Sequence, residues 1–166
     1  MEKLLNVLSD CVDRQLNLYR KLLDLFSAER SAVLASDLEE LNRVLTDKEL
    51  LLQHIRHAEH LRRQTAQEMA ALLRIDETSL TISQLSERVD EPYASKIKDK
   101  GTCLQALIDE IQVASDRNRS LCLQALQFVS GSIKLLTMLS RPDTVYRATG
   151  RIHNDRHIGR MLSGAV

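Results

Sequence analysis

The sequence predicts an all-α protein: an antiparallel bundle of three long helices with coiled-coil character, a short connecting helix and a C-terminal tail. Three observations carry that prediction. Hydrophobic residues make up 43% of the chain but aromatic residues only 3%, so the core must be built from Leu, Ile, Val and Ala, which suits helices packed along their length. Only 5 Gly and 2 Pro punctuate 166 residues, too few for the closely spaced turns of a sheet. Apolar residues also recur at alternating steps of three and four over most of the chain, the period of a helix with one buried face.

The first helix is expected over residues 2–34, where this stepping selects Leu5, Leu8, Val12, Gln15, Tyr19, Leu22, Phe26, Glu29 and Val33, all apolar except Gln15 and Glu29. Ser36-Asp37 then interrupts the rhythm. Ser36 with Glu39 fits S-x-x-E, in which the serine oxygen accepts an N–H of the first helical turn and the glutamate reaches back. Residues 34–37 are therefore predicted to reverse the chain between two helices. The second helix, residues 37–74, gives Leu38, Leu41, Leu45, Lys48, Leu52, Ile55, Glu59, Arg62, Ala66, Met69 and Leu73 on the same template. Its polar middle, RHAEHLRR, specifies the seam only loosely.

After Arg74, Thr81-Ile82-Ser83-Gln84 has the form of a second capping sequence and Pro92 stops any continuation, so at most a short connecting helix is expected. The third long helix, residues 93–140, follows Leu104, Leu107, Ile111, Ala114, Asn118, Leu121, Ala125, Phe128, Ser132, Leu135 and Leu139. Arg141-Pro142 ends it and separates a bundle of residues 1–140 from a polar, glycine-spaced tail, residues 141–166. At 1.5 Å per residue the last helix would run about 70 Å, against roughly 50 and 55 Å for the first two, so one of its ends is expected to project.

Charge and cysteine content exclude several function classes. The formal net charge is zero, which gives the chain as a whole no electrostatic affinity for nucleic acid or an anionic membrane. Cys11, Cys103 and Cys122 are odd in number and lack C-x-x-C spacing, against a disulfide framework or a zinc site and in keeping with a reducing compartment. The opening MEKLLNVLSDC meets an acid and polar residues too soon for a secretory signal. No apolar run is expected to approach the length of a bilayer span, so stable membrane insertion is not predicted and a cytoplasmic location is.

Reactive chemistry has no anchor in the sequence. His54, His57 and His60, with Glu59 nearby, are spaced at three, but steps of three drift about 60 degrees each round a helix, which favours a solvated polar face over a metal site. A phosphotransfer histidine would need small, glycine-containing surroundings that these positions lack. No Gly-rich phosphate loop, nucleophile elbow or H-E-x-x-H occurs. No enzyme, metal or cofactor is predicted, and the cysteines read as small apolar packing residues.

Binding is the remaining possibility, and the last helix is its expected site. Beside the seam runs a second apolar line, Cys122, Leu126, Val129, Ile133 and Leu136. A helix that touches two neighbours needs a broad face, so this line is either internal core or, at a projecting end, a groove for an incoming amphipathic helix. The expected partner-binding residues are Asn118, Leu121, Cys122, Leu126, Val129, Ile133 and Leu136. Asn118 falls on the seam itself, where a polar residue can also fix register. Gly131, within Ser130-Gly131-Ser132, either permits close approach of another backbone or marks a kink.

The order of these features resembles a known family. Glu29 to Leu34 with the Ser36-Asp37-Leu38 corner, KELLLQHI after it, TISQLSERV, the NRSL of Asn118 to Leu121, and TVYRATG at Thr144 to Gly150 are similar to the FlgN-type flagellar export chaperones. The resemblance implies a non-enzymatic, cytosolic, substrate-specific chaperone of the flagellar type III export system. Such a protein would bind C-terminal helical segments of hook-filament junction proteins, keep them unassembled and deliver them to the export gate, whose cytosolic part the tail would contact through Tyr146. The chain departs from the pattern after Gly150, where RIHNDRHIGRMLSGAV carries Ile152, Ile158, Met161 and Leu162, a segment able to fold back over the groove. The rival reading is a structural coiled-coil adaptor unrelated to secretion.

Overall fold

Spacing by threes and fours folds as helix in the computed structural model, which describes residues 2–73, 82–89 and 91–140. The helices are α1 (Glu2–Ala35), α2 (Leu38–Leu73), α3 (Ile82–Ser86) and α4 (Tyr93–Leu139), and the described residues include no strand. The all-α prediction holds, with the ends of the long helices within a residue or two of expectation. Thr81, which would cap α3, lies outside the described residues.

The corner between α1 and α2 differs from the predicted capping box by one residue. Ser36 has φ 56°, in the left-handed region. Its N–H donates to Val33 O at 3.1 Å, and the Asp37 N–H donates to Ala32 O at 3.0 Å. These two bonds terminate α1 as a Schellman motif, with Ser36 where glycine is usual. Asp37 is then the N-cap of α2, its Oδ1 accepting the Glu40 N–H at 3.0 Å. Glu40 does not reach back, because its carboxylate pairs with Arg43 at 2.7 and 2.9 Å. The expected cap at Ser36 is thus corrected: a residue held at positive φ ends the preceding helix, and the short acid one position later takes the cap.

The chain forms two compact units, Met1–Cys122 and Leu123–Val166. The first holds the core, in three clusters. Leu5, Leu8, Met69, Leu85 and Ile97 form one, Leu85 being the residue by which short α3 is tied in. Val12 and Leu16 meet Leu104 and Leu107 in the second, and Leu22 meets Leu51 and Ile55 in the third. Along α1 the partners fall from Met69 to Leu51 in α2 while they rise from Ile97 to Leu107 in α4. Each such side chain, taken from water, contributes about 1.5–3 kcal/mol.

Periodicity identifies the buried face of α1 even where it is polar, since Gln15 and Glu29 are both buried. In α2 the seam agrees with the predicted positions at Ile55 and Met69 and departs from them elsewhere. Val44, Leu51, Ile55, Ala58, Thr65 and Met69 are buried, whereas Leu38 and Leu45 are exposed. The predicted positions fall mostly one residue too late, because polar Thr65 and small Ala58 belong to the seam and the leucines beside it pull the template off.

A polar cluster joins three helices inside this unit. Lys48 Nζ donates to both carboxylate oxygens of Glu29 at 2.7 and 2.8 Å and stands 4.6 Å from the centre of the Phe26 ring. The Asn118 amide donates to the same carboxylate at 2.9 Å and to Phe26 O at 2.7 Å. Glu29 is thus buried with its charge paired, the condition under which a buried carboxylate is tolerated. Nearer the start of α4, Lys100 Nζ donates to Asp13 at 2.6 Å and to the Ser9 hydroxyl.

Candidate functional site

In the second unit the described residues are 123–140, which contain the last part of α4. Helical geometry sets Leu126, Val129, Ile133 and Leu136 along one line and Phe128, Leu135 and Leu139 along an adjoining one. All seven are more than half exposed. The opposite side carries Gln124, Gln127, Gly131 and Lys134 at steps of three and four, Lys134 being the lone charged residue from Leu121 to Leu139.

The hydroxyls in this stretch do little to make the apolar face polar. Ser132 Oγ donates to Phe128 O at 3.0 Å, Thr137 Oγ1 to Ile133 O at 2.8 Å and Ser140 Oγ to Leu136 O at 2.7 Å. Each is satisfied by the backbone one turn back. A Cβ built on Gly131 meets nothing within 4 Å, so packing within the described chain does not require glycine there, and α4 is helical through it.

The predicted site residues divide into two groups. Leu126, Val129, Ile133 and Leu136 are exposed and share a line. Asn118 is buried, its amide engaged by Phe26 O and Glu29, while Leu121 and Cys122 are half-buried. Tyr146, Ile152, Ile158, Met161 and Leu162 lie outside the described residues. His54, His57 and His60 are all exposed, and among the described residues no three His, Cys, Asp or Glu side chains are grouped as metal ligands. Phe128, Leu135 and Leu139, expected on the internal seam, are exposed: the seam period continues after Asn118 without burying them.

Membrane-spanning length also needs correction. Among the described residues one helix, α4, is long and apolar enough by length and composition to cross a membrane, and its apolar stretch is not buried. Gln124, Gln127 and Lys134 break the apolar run, yet the stretch is apolar on the whole. Those residues form a polar stripe that an isolated span would have to place in hydrocarbon.

The described residues thus define an all-α scaffold in which one long helix ends in large, exposed apolar side chains. The chain belongs to the FlgN protein family, whose family model matches residues 1–154. That membership assigns it a chaperone role related to flagellar export. No curated protein and no solved structure matched the chain.

Proposed function

We propose that the protein is a cytoplasmic chaperone that binds the C-terminal helical segments of hook-filament junction proteins on the exposed face of α4, with Leu126, Val129, Ile133 and Leu136 as its centre. The observation that carries this reading is that face: seven large apolar side chains, all more than half exposed, on one helix of an export-chaperone family member. An amphipathic segment laid along it would hide its own apolar stripe from premature polymerisation. Asn118 has a supporting part, since its amide nitrogen is engaged by Phe26 O and Glu29 of α1. Gly131 suits close approach of the bound backbone. Tyr146 then docks the loaded chaperone on the cytosolic part of the export gate, a separate step from cargo binding.

Copurification of the full chain with a junction protein, or with that protein lacking its C-terminal segment, tests the substrate assignment. Capture of the intact protein and loss of capture on removing the segment is expected; equal capture of both refutes it. Tyr146→Ala is expected to leave capture unchanged while reducing export, and loss of capture would place Tyr146 in the cargo site instead.

A further inference from the structure

A second groove lies in the Met1–Cys122 unit, between α1 and α4. Leu23, Phe26 and Ala114 give it an apolar lining, and Arg30 from α1 and Arg117 from α4 contribute to its walls, with Ser27 and Asn118 beside them. Its volume, about 180 Å³, suits one or two side chains rather than a cofactor, whose sites run about 300–1,000 Å³.

Both arginines are exposed, and among the described residues neither has an ion-pair partner within 4.0 Å. The nearest acid in sequence to Arg30, Glu29, is engaged by Lys48 and Asn118. Arg30 and Arg117, from two helices, thus line an apolar pocket with no ion-paired carboxylate among the described residues. Guanidinium pairs recognise carboxylates with directional, charge-assisted hydrogen bonds, and the apolar lining adds a place for a flanking aliphatic side chain.

We infer that this groove binds an acidic–apolar helical segment of a partner protein, a glutamate or aspartate set between Arg30 and Arg117 with a neighbouring apolar side chain against Leu23, Phe26 and Ala114. The chain's own tail is a poor occupant, because Arg141, Arg147, Arg151, Arg156 and Arg160 outnumber Asp143 and Asp155 and carry the charge of the rim. A nucleic acid is disfavoured by the apolar lining and by the zero net charge. The inference does not depend on cargo binding by the last part of α4.

Two fluorescent amphipathic helical peptides with the same leucine face, one bearing glutamates beside it and the other glutamines, test this against the full chain by anisotropy. The glutamate peptide is expected to bind about tenfold tighter or more, and its advantage to shrink as salt rises from low to physiological concentration. Arg30→Gln with Arg117→Gln should remove that advantage, Arg30→Lys with Arg117→Lys should keep part of it, and Arg56→Gln on α2 should leave it intact. Absence of binding by both peptides, equal binding, or a glutamate preference that survives the double glutamine variant overturns the inference. So does concentration-dependent dimerisation of the chain, in sedimentation, that the double variant abolishes: the groove would then belong to a second copy.

Discussion

From Tyr93 to Cys122, α4 buries Ile97, Leu104, Leu107 and Asn118, whereas from Leu123 to Leu139 it buries nothing, although large apolar side chains recur at helical spacing in both stretches. The stretches differ in charge. The first carries Lys96, Lys98, Asp99, Lys100, Asp109, Glu110, Asp116, Arg117 and Arg119, and the second only Lys134. A helix settled in a core needs a charged outer face to stay apart from other molecules. The second stretch lacks that protection and leaves its leucines exposed, the kind of patch that marks an interaction surface in soluble proteins.

Truncation separates the two stretches most sharply. Leu104→Ala removes a side chain that is 7% exposed and packed on Val12 and Leu16, and should cost about 2–4 kcal/mol in chemical denaturation. Leu126→Ala, at 64% exposed, should change stability by less than about 0.5 kcal/mol. Equal losses would erase the distinction.

The polar cluster sharpens the account of the first stretch. Glu29→Ala would leave Lys48 and the Asn118 amide without their shared acceptor, and about 2–3 kcal/mol of destabilisation is expected, tempered because Lys48 is partly exposed. Asn118→Leu should cost less, since the Glu29–Lys48 pair survives it. If instead Asn118→Leu preserves stability and abolishes cargo capture, Asn118 belongs to the binding face after all.

The corner offers two smaller changes of opposite sign. Asp37→Ala deletes the cap on α2 and should cost about 1 kcal/mol. Ser36→Gly relieves a left-handed conformation at φ 56° and should gain about 0.5 kcal/mol, strain relief exceeding the added flexibility of the unfolded chain. A loss on Ser36→Gly would mean that the serine side chain contributes something the backbone geometry does not.

The smallest effect is expected at alkaline pH. Burial, aided by Glu59 and opposed by Arg62, raises the Tyr19 phenol above its ordinary value of 10.0. The folded state therefore holds this proton longer than the unfolded chain. The associated stability is present below pH 10 and is lost as pH rises through the raised folded value. Tyr19→Phe should flatten that loss in denaturation curves recorded on either side of pH 10; an unchanged slope would contradict the shift.

Much of the fold was legible in the sequence because the α1 positions selected by the helical period track burial, including Gln15 and Glu29, whose polarity argued the other way. The α2 seam was less legible, since Ala58 and Thr65 carry little hydrophobic signal while exposed leucines elsewhere in the helix, such as Leu38 and Leu45, carry much. The corner was located correctly but its chemistry was not: Ser and Asp are both good caps, and only backbone geometry distinguishes the one at positive φ. For the site, the line from Leu126 to Leu136 was legible as apolar and remained ambiguous between core and surface, because periodicity specifies a face and not what covers it. The near absence of charge from Leu121 to Leu139 was the available signal. Arg30 and Arg117 were not legible as neighbours, since they are far apart in sequence and meet only through packing of α1 on α4.

The central claim is that the apolar line in the last part of α4 is a binding surface and not core. Val129→Asp with Ile133→Asp tests it most directly, read by capture of a junction protein's C-terminal segment alongside far-ultraviolet circular dichroism and the denaturation midpoint. Loss of capture with the helical signal and midpoint near wild type is the predicted result. Capture at wild-type strength, or unfolding of the variant, would contradict it.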